Sequence, residues 1–576
     1  MRQRSFPRRH LASALVLTLC LAPLPAAAET GTAAIEQRVY VETTVDSDRD
    51  GRPDRVALDI ARPSGTTKVP VIFEHSPYRH GLGTVPFHPV NVNRLPQEGL
   101  FPAASDTAEG PIVRKAAPDL PGWLDDYFVP RGYAVVLGHS IGTGDSQGCP
   151  TSGDQQETLS TKAVIDWLNG RARAFDSAGR LVRADWSTGS VGMTGVSYNG
   201  TLPNMVATTG VPGLRTIVPI AAQSNWYDYY RANGLVVAPG GWQGEDTDAL
   251  AKAVLTRDGC ADEIGELTRQ QDRITGDYNE FWRQRDYTRL AGNVRASVFV
   301  MHGHSDWNVR GKQYSQWWEA LSEHGVPRKI WLHRGGHAPP SRSDYQATLS
   351  RWFDYWLKGI DTGIMREPMA EVQDAGGAWR KLADWPDPAA RPVTYQLGTD
   401  SATAPGRLTT GPGGGVAQTF VDQGRSNTAA TLVANPDRAN GNRLVFRSQP
   451  LATAARMSGI ASVALRAAVE NRNDANLTAL LVDYGSGTPV IVTRGWIDPQ
   501  NRTSQSSSER VVQGQEYTMR FEMEPKDYVF AAGRRIGLVV ISTDYDFTLR
   551  PLGGSRLRLV PGGSSLTVPL VASPIR

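Results

Sequence analysis

Cysteine is nearly absent from this sequence, 3 among 576 residues, which excludes a disulfide-dense scaffold. Cys20 falls in the N-terminal leader discussed below. That leaves Cys149 and Cys260, for which one disulfide is the expectation in an exported chain and two separate buried thiols the alternative. An excess of either charge is also missing: 61 Lys and Arg stand against 58 Asp and Glu, a formal +3. Four of those arginines, Arg2, Arg4, Arg8 and Arg9, sit in the leader without an acid, so the rest of the chain carries −1. With no Lys/Arg-dense stripe elsewhere, nucleic acid is excluded as a partner. Long apolar runs are missing too. The run over 11–21 is too short to span a bilayer, and nothing later is longer, so no membrane partner is expected.

What the first residues do have is a basic start, that apolar run and Ala26-Ala27-Ala28, a small-residue cleavage pattern. They predict a signal peptide over 1–28 and a secreted or periplasmic protein. Arg8-Arg9 resembles part of a twin-arginine signal, but Pro7 and Ala12 fit that pattern poorly, which favours the general secretory route.

The length exceeds what one hydrophobic core serves, so at least two domains are expected. Short apolar runs at 69–73, 133–137, 190–194, 216–220, 297–301 and 329–332 read as strands buried on both faces, and they alternate with helix-spaced stretches such as 158–168. That grammar predicts a parallel sheet wrapped by helices over 29–225 and 291–375, interrupted by a helical cap over 226–290. After Trp385-Pro386 the period changes to two: Tyr517, Met519, Phe521 and Met523 alternate with polar residues. An all-β, jelly-roll-like sandwich is expected over 376–576.

Ser190-Val191-Gly192-Met193-Thr194-Gly195-Val196-Ser197-Tyr198-Asn199-Gly200 supplies a strand, a tight turn and a helix start, the setting of an exposed nucleophile in an α/β-hydrolase. The second glycine comes one position late. Asn199 tolerates left-handed backbone, so the turn stays feasible. Gly144-Asp145-Ser146-Gln147-Gly148 fits the generic G-x-S-x-G better, yet Cys149-Pro150 follows where a helix is required, so Ser146 reads as loop structure. Asp306 just past one buried strand and His337 just past the next complete the chain order Ser, Asp, His. In that triad His337 is the general base for Ser197, and Asp306 holds the imidazole tautomer. His302, His304 and His333 are rival bases that break the order or sit too near a strand. A metal site from His302, His304 and Asp306 is disfavoured by the interruption at Gly303, and no cofactor is expected.

Together with Ser76-Pro77-Tyr78, the run Gly142-Thr143-Gly144-Asp145-Ser146-Gln147-Gly148-Cys149-Pro150, Asn225-Trp226-Tyr227-Asp228-Tyr229-Tyr230-Arg231, His302-Gly303, Gly335-Gly336-His337 and Arg494-Gly495-Trp496-Ile497-Asp498-Pro499, these residues resemble the Xaa-Pro dipeptidyl-peptidase family, which includes cocaine esterase-like relatives. The resemblance implies an oxyanion hole from the Tyr78 hydroxyl and the Tyr198 N–H, a proline pocket walled by Trp226 and Tyr229, and an anchor for the substrate α-amino group at Glu245, with Asp246 beside it. It implies a serine peptidase releasing N-terminal dipeptides from peptides with proline at the second position. An esterase or amide acylase with the same triad is the alternative reading. A noncatalytic binding protein with an inert triad is the reading from another class. Intracellular bacterial members of the peptidase branch carry a large additional N-terminal domain, so their assembly is not carried over to this chain.

Asp46, Asp48, Asp50 and Asp54 with Gly51 copy the first half of a calcium loop. Position twelve is Ala57 rather than a bidentate glutamate, so a polar hairpin turn is the expectation and calcium the alternative.

Overall fold

The computed structural model describes residues 34–90, 120, 122–424, 426–549 and 551–571. The expected leader lies outside the described residues. Among them, no helix is long and apolar enough to cross a membrane.

The chain enters through β1 (Ala34–Glu42), β2 (Arg55–Pro63), β3 (Val69–Ser76) and β4 (Ala134–His139), with the short helix α1 (Leu124–Phe128) before β4. After helix α2 (Gln155–Leu168) come the small strands β5 (Ala174–Phe175) and β6 (Leu181–Val182), then β7 (Ser187–Val196), helix α3 (Tyr198–Ala207) and β8 (Leu214–Ile220). The cap segment follows: α4 (Tyr227–Tyr230), the hairpin β9 (Arg231–Ala232) and β10 (Leu235–Val236), then α5 (Thr247–Val254), α6 (Ala261–Gln270) and α7 (Glu280–Arg283). The chain returns to the sheet with β11 (Ser297–Gly303), α8 (Lys312–Glu323), β12 (Arg328–His333), α9 (Tyr345–Lys358), β13 (Ala370–Gln373) and β14 (Trp379–Leu382).

Twelve strands form one sheet in the order β14-β13-β12-β11-β8-β7-β3-β4-β2-β1-β5-β6. Pairing is parallel from β4 through β13 and antiparallel at both ends. The continuous apolar runs are explained by cover on both faces. Phe73, Val136, Met193, Ile217, Val300 and Ile330 face one core. Their neighbours Ile72, Val135, Val218, Phe299 and Trp331 face another, closed by Trp352 and Phe353 of α9. Parallel strands also place their carboxyl ends on one sheet edge, where loops gather side chains from distant parts of the sequence.

Two expectations change. The first sheet runs past the boundary at 375, because β14 pairs antiparallel with β13, Glu371 opposite Lys381. Its mixed sequence WRKL looks like the grammar of the second domain and conceals its partner. The cap, expected to be helical, also contains the β9–β10 hairpin.

From Ala390 onward a second, thirteen-stranded sheet system folds around its own core, including Leu397, Phe446, Leu465, Leu481, Met519, Phe521, Leu538 and Leu559. Its longest strand, Arg556–Val571, pairs with Ala390–Thr399 and Ser462–Val469. The period-two reading is visible in Tyr517–Glu522, where Met519 and Phe521 are buried and Thr518 and Arg520 exposed. The chain is thus an α/β-hydrolase domain with a mostly helical insertion, followed by a β-rich domain.

Candidate active site

Ser197 sits where β7 ends and α3 begins, with φ 63° and ψ −127°. A non-glycine residue at positive φ is strained and is held there by its surroundings. The Ser197 N–H donates to Ile220 O at 2.8 Å, and the Ser197 carbonyl accepts from the N–H of Gly200 and of Thr201, both at 2.9 Å. The two glycines permit the bend by closeness. A Cβ on Gly195 would lie 2.5 Å from Asn199 O, and one on Gly200 would lie 2.7 Å from Gly195 O. The left-handed position is therefore Ser197 itself, not Asn199, which is already helical. Tyr198 occupies the first helical position, where a backbone N–H has no intrahelical acceptor.

Asp306 follows β11 with its side chain fully buried. One carboxylate oxygen, Oδ1, accepts from the N–H of Asn308 (3.0 Å) and of Val309 (2.9 Å). The other, Oδ2, lies 2.7 Å from Nδ1 of His337, in the loop after β12. This leaves Nε2 of a partly exposed imidazole for proton transfer.

The rival histidines are engaged elsewhere. His302 Nε2 donates to Val309 O at 2.7 Å and lies 3.6 Å from Asp306 Oδ2; burial depresses its pKa to about 4. His304 meets the Tyr314 hydroxyl through Nδ1 and is likewise held neutral by burial. Both ring nitrogens of His333 are engaged within its own loop, by Ala338 O and the Gly335 N–H. Ser146 is structural: its hydroxyl donates to His139 O (2.8 Å) and accepts from Ala57 N–H (2.9 Å).

Tyr78 emerges just after β3. Its ring stands edge-on to Tyr198, centroids 6.1 Å apart. Burial, then the charges of Glu245 and Glu157, push its phenol well above the usual range, while the neighbouring Ser197 side chain acts weakly the other way. The phenol at this site is therefore a donor, not a phenolate.

Trp226 is fully buried. Its indole N–H donates to the Tyr287 hydroxyl at 2.7 Å, and its ring packs against Tyr198, Tyr229 and Tyr230. The Tyr229 hydroxyl donates to Asn308 Oδ1 at 2.7 Å, tying the aromatic wall to the Asp306 loop. Glu245 lies within this group, 8% exposed, accepting from the Tyr230 hydroxyl at 2.7 Å. Burial, with a smaller contribution from Asp246, raises its pKa to about 7 against the opposing Tyr230 hydrogen bond.

Asp246 departs from the substrate-binding role expected of it. Its carboxylate is wholly buried and paired with two guanidiniums, Arg231 at 2.9 Å and Arg273 at 2.6 Å, while Oδ1 caps α5 at Thr247. That carboxylate is shut away from the pocket and its charge is balanced within the fold. Asp54 leaves the calcium reading in the same way: it is buried and accepts from the N–H and hydroxyl of Ser47. Asp46, Asp48 and Asp50 do converge, but Asp46 is spent on the N–H groups of Asp50 and Gly51. Cys149 and Cys260 are joined as a disulfide that links the loop after β4 to the start of α6.

One residue of the site had no signal in the sequence. Glu157, in the first turn of α2, is buried under the elbow, where it accepts from the Tyr198 hydroxyl and the Gly153 N–H at 2.7 Å each and from the Ser140 hydroxyl. The cap at Asp154 marks where α2 starts but not which of its residues turn toward the elbow.

Comparison with known proteins identifies the family. The family model for X-Pro dipeptidyl-peptidase (S15 family) matches residues 50–339, and that for the X-Pro dipeptidyl-peptidase C-terminal non-catalytic domain matches 362–568. A Bacillus anthracis protein provisionally named Xaa-Pro dipeptidyl-peptidase is 52% identical over 547 residues, 93% of this chain and 88% of that one. The Lacticaseibacillus rhamnosus Xaa-Pro dipeptidyl-peptidase is 32% identical over 622 residues, 93% of this chain and 77% of its own length. Among solved structures, a CocE/NonD family hydrolase from Staphylococcus aureus shares the fold, with a TM-score of 0.66 at 16% identity over 95% of this chain and 99% of that one. Likeness to these relatives reaches through both domains and brackets the strained elbow at Ser197, so this chain belongs to the X-Pro dipeptidyl-peptidase (S15) family and is a serine hydrolase.

Proposed function

We propose that this chain releases N-terminal Xaa-Pro dipeptides through an acyl-enzyme on Ser197. The observation that carries the substrate class is Glu245, a buried carboxylate among Trp226, Tyr229 and Tyr230, beside the Tyr78 phenol. A flat aromatic wall suits a pyrrolidine ring, which needs no hydrogen-bond donor. An ammonium group entering an apolar pocket requires a carboxylate, and Glu245 supplies one whose ionised form the bound cation would favour.

In this reading His337 Nε2 takes the Ser197 proton as Oγ attacks the prolyl carbonyl. The Tyr78 hydroxyl and Tyr198 N–H donate to the oxyanion. The tetrahedral intermediate collapses, breaking the C–N bond, and His337 returns its proton to the departing amine. Water then attacks the ester by the same route, freeing the dipeptide and restoring Ser197. Asp306 holds Nδ1–H throughout, a role supported by its 2.7 Å contact and its two backbone donors. We further propose that the enzyme is exported, a reading supported by the leader pattern and by a disulfide, which persists in oxidising compartments.

The test compares Ala-Pro arylamide, its N-acetylated form and a simple aryl ester. Preferred cleavage of the free-amine amide is expected. Turnover of the ester with no cleavage of Ala-Pro arylamide would make the chain an esterase or acylase instead.

A further inference from the structure

Three consecutive residues of the β-rich domain, Glu524-Pro525-Lys526, grip the catalytic loop on both sides of Asp306. Upstream, the buried Lys526 ammonium donates to the carbonyl of His304 and lies 5.1 Å from the Trp307 ring centroid. Downstream, Glu524 Oε1 accepts from Nε of Arg310 at 3.2 Å, and Oε2 from the backbone N–H of Lys312 at 2.7 Å. Between them Pro525 packs on Gly311, where a Cβ would come within 3.0 Å of the proline ring. The segment is itself held: Glu524 N–H donates to Arg494 O, and its carbonyl accepts from the Thr493 hydroxyl.

Arg310 passes this hold on to the aromatic wall. Its guanidinium is almost wholly buried and donates to the carbonyls of Asp228 (2.7 Å) and Tyr229 (3.2 Å) in α4, and to Ala238 O at 3.4 Å. Lys312 Nζ reaches the same helix through the Asp228 carboxylate at 2.7 Å. The α4 helix is four residues long and too short to be stable alone, so its position rests on these tethers. Glu524 is the anion against which both tethers are set.

We propose that Glu524 and Lys526 are positioning residues of the hydrolase: Glu524 sets the pocket wall through Arg310 and Lys312, and Lys526 sets the Asp306 loop through the His304 carbonyl. The specificity half of this assignment rests on the Xaa-Pro reading of the pocket. The second domain then completes the site without touching substrate, a role apart from holding a separate ligand.

The test uses the full chain with Glu524→Gln and Lys526→Met, with Lys526→Arg as the charge-conserving control. On Ala-Pro arylamide, Glu524→Gln is expected to raise KM about tenfold with a smaller change in kcat, the loss of a charged hydrogen bond. Lys526→Met is expected to lower kcat about tenfold with KM nearly held, and Lys526→Arg to recover most of it. Hydrogen exchange in Glu524→Gln is expected to quicken at 226–239 while 535–541 stays protected. That readout needs no substrate, so it stands even if the wild-type chain fails to cleave Ala-Pro arylamide. Unchanged exchange at 226–239, or parallel losses in kcat and KM in both variants, would overturn the assignment.

Discussion

The Tyr230 hydroxyl donates a 2.7 Å hydrogen bond to Oε1 of Glu245, inside a pocket where burial lifts the carboxyl pKa to about 7. The adjacent Asp246 has a carboxylate that is more deeply buried, yet two arginines hold it. Neighbours in sequence thus have opposite assignments: one carboxylate is free to answer a ligand and the other is consumed by the fold.

Glu245 should make binding pH-dependent. With a folded pKa near 7, the anchor is ionised above neutrality and lost below it, so KM for Ala-Pro arylamide should rise as pH falls from 8 to 6. The N-acetylated substrate, lacking the cation, should not show that limb, and Glu245→Gln should abolish it. Stability runs the other way. The unfolded carboxyl titrates near 4.5, so the folded state binds more protons between there and about 7, and the empty enzyme loses about 3 kcal/mol across that window as pH rises. Glu245→Gln should therefore raise the melting temperature at pH 8 and leave it unchanged at pH 4. A flat KM profile for the free-amine substrate would remove Glu245 as anchor.

Asp246→Asn should act on folding rather than on substrate choice. It leaves the buried Arg231 and Arg273 without their shared counter-charge, a loss of about 3 to 5 kcal/mol. Denaturant unfolding reads the loss directly. The ratio of free-amine to N-acetyl cleavage by the surviving folded protein should match wild type.

On the proposed mechanism, Tyr78→Phe removes one donor to the developing oxyanion and nothing that binds the ground state. A fall in kcat of about a hundredfold with KM unchanged is expected, near 3 kcal/mol of transition-state stabilisation. Steady-state kinetics decide it. Full turnover by the variant would leave Tyr78 as a packed aromatic.

The Cys149–Cys260 disulfide joins residues 111 apart in sequence. By the loop-entropy account, a closure of that length contributes about 4 to 5 kcal/mol. Adding reductant, or replacing both cysteines with serine, should lower the thermal midpoint. The helical insertion should be the first region to lose hydrogen-exchange protection, since the bridge ties α6 to the sheet. Two free thiols found by mass spectrometry of oxidised protein would contradict the pairing.

Much of the site is legible in local sequence, because catalysis at a sheet edge needs local grammar. Gly195, Ser197 and Gly200 bend a strand into a helix, and Asp306 and His337 each follow a buried apolar run by a few residues. Such patterns report strand ends, and parallel strands align those ends. The same logic sets aside Ser146, whose hydroxyl bonds to the end of β4 and to β2. Local grammar misplaces the strain, however. Asn199 looks like the residue suited to left-handed backbone, but Ser197 takes it, at a bend where Gly195 and Gly200 pack too closely on their neighbours to carry a Cβ.

The amino-acid sequence alone determined the α/β-hydrolase class, the succeeding β-rich domain and the order of Ser197, Asp306 and His337, since each is written in periodicity or in residues a few positions apart. Only tertiary structure decided which carboxylates remain available. Glu157 beneath Tyr198, Asp246 between two arginines, Asp54 turned onto Ser47, and Glu524 reaching Arg310 across 214 positions depend on contacts between distant segments. The charge of a carboxylate is a property of the residue, whereas its availability depends on what folding packs around it.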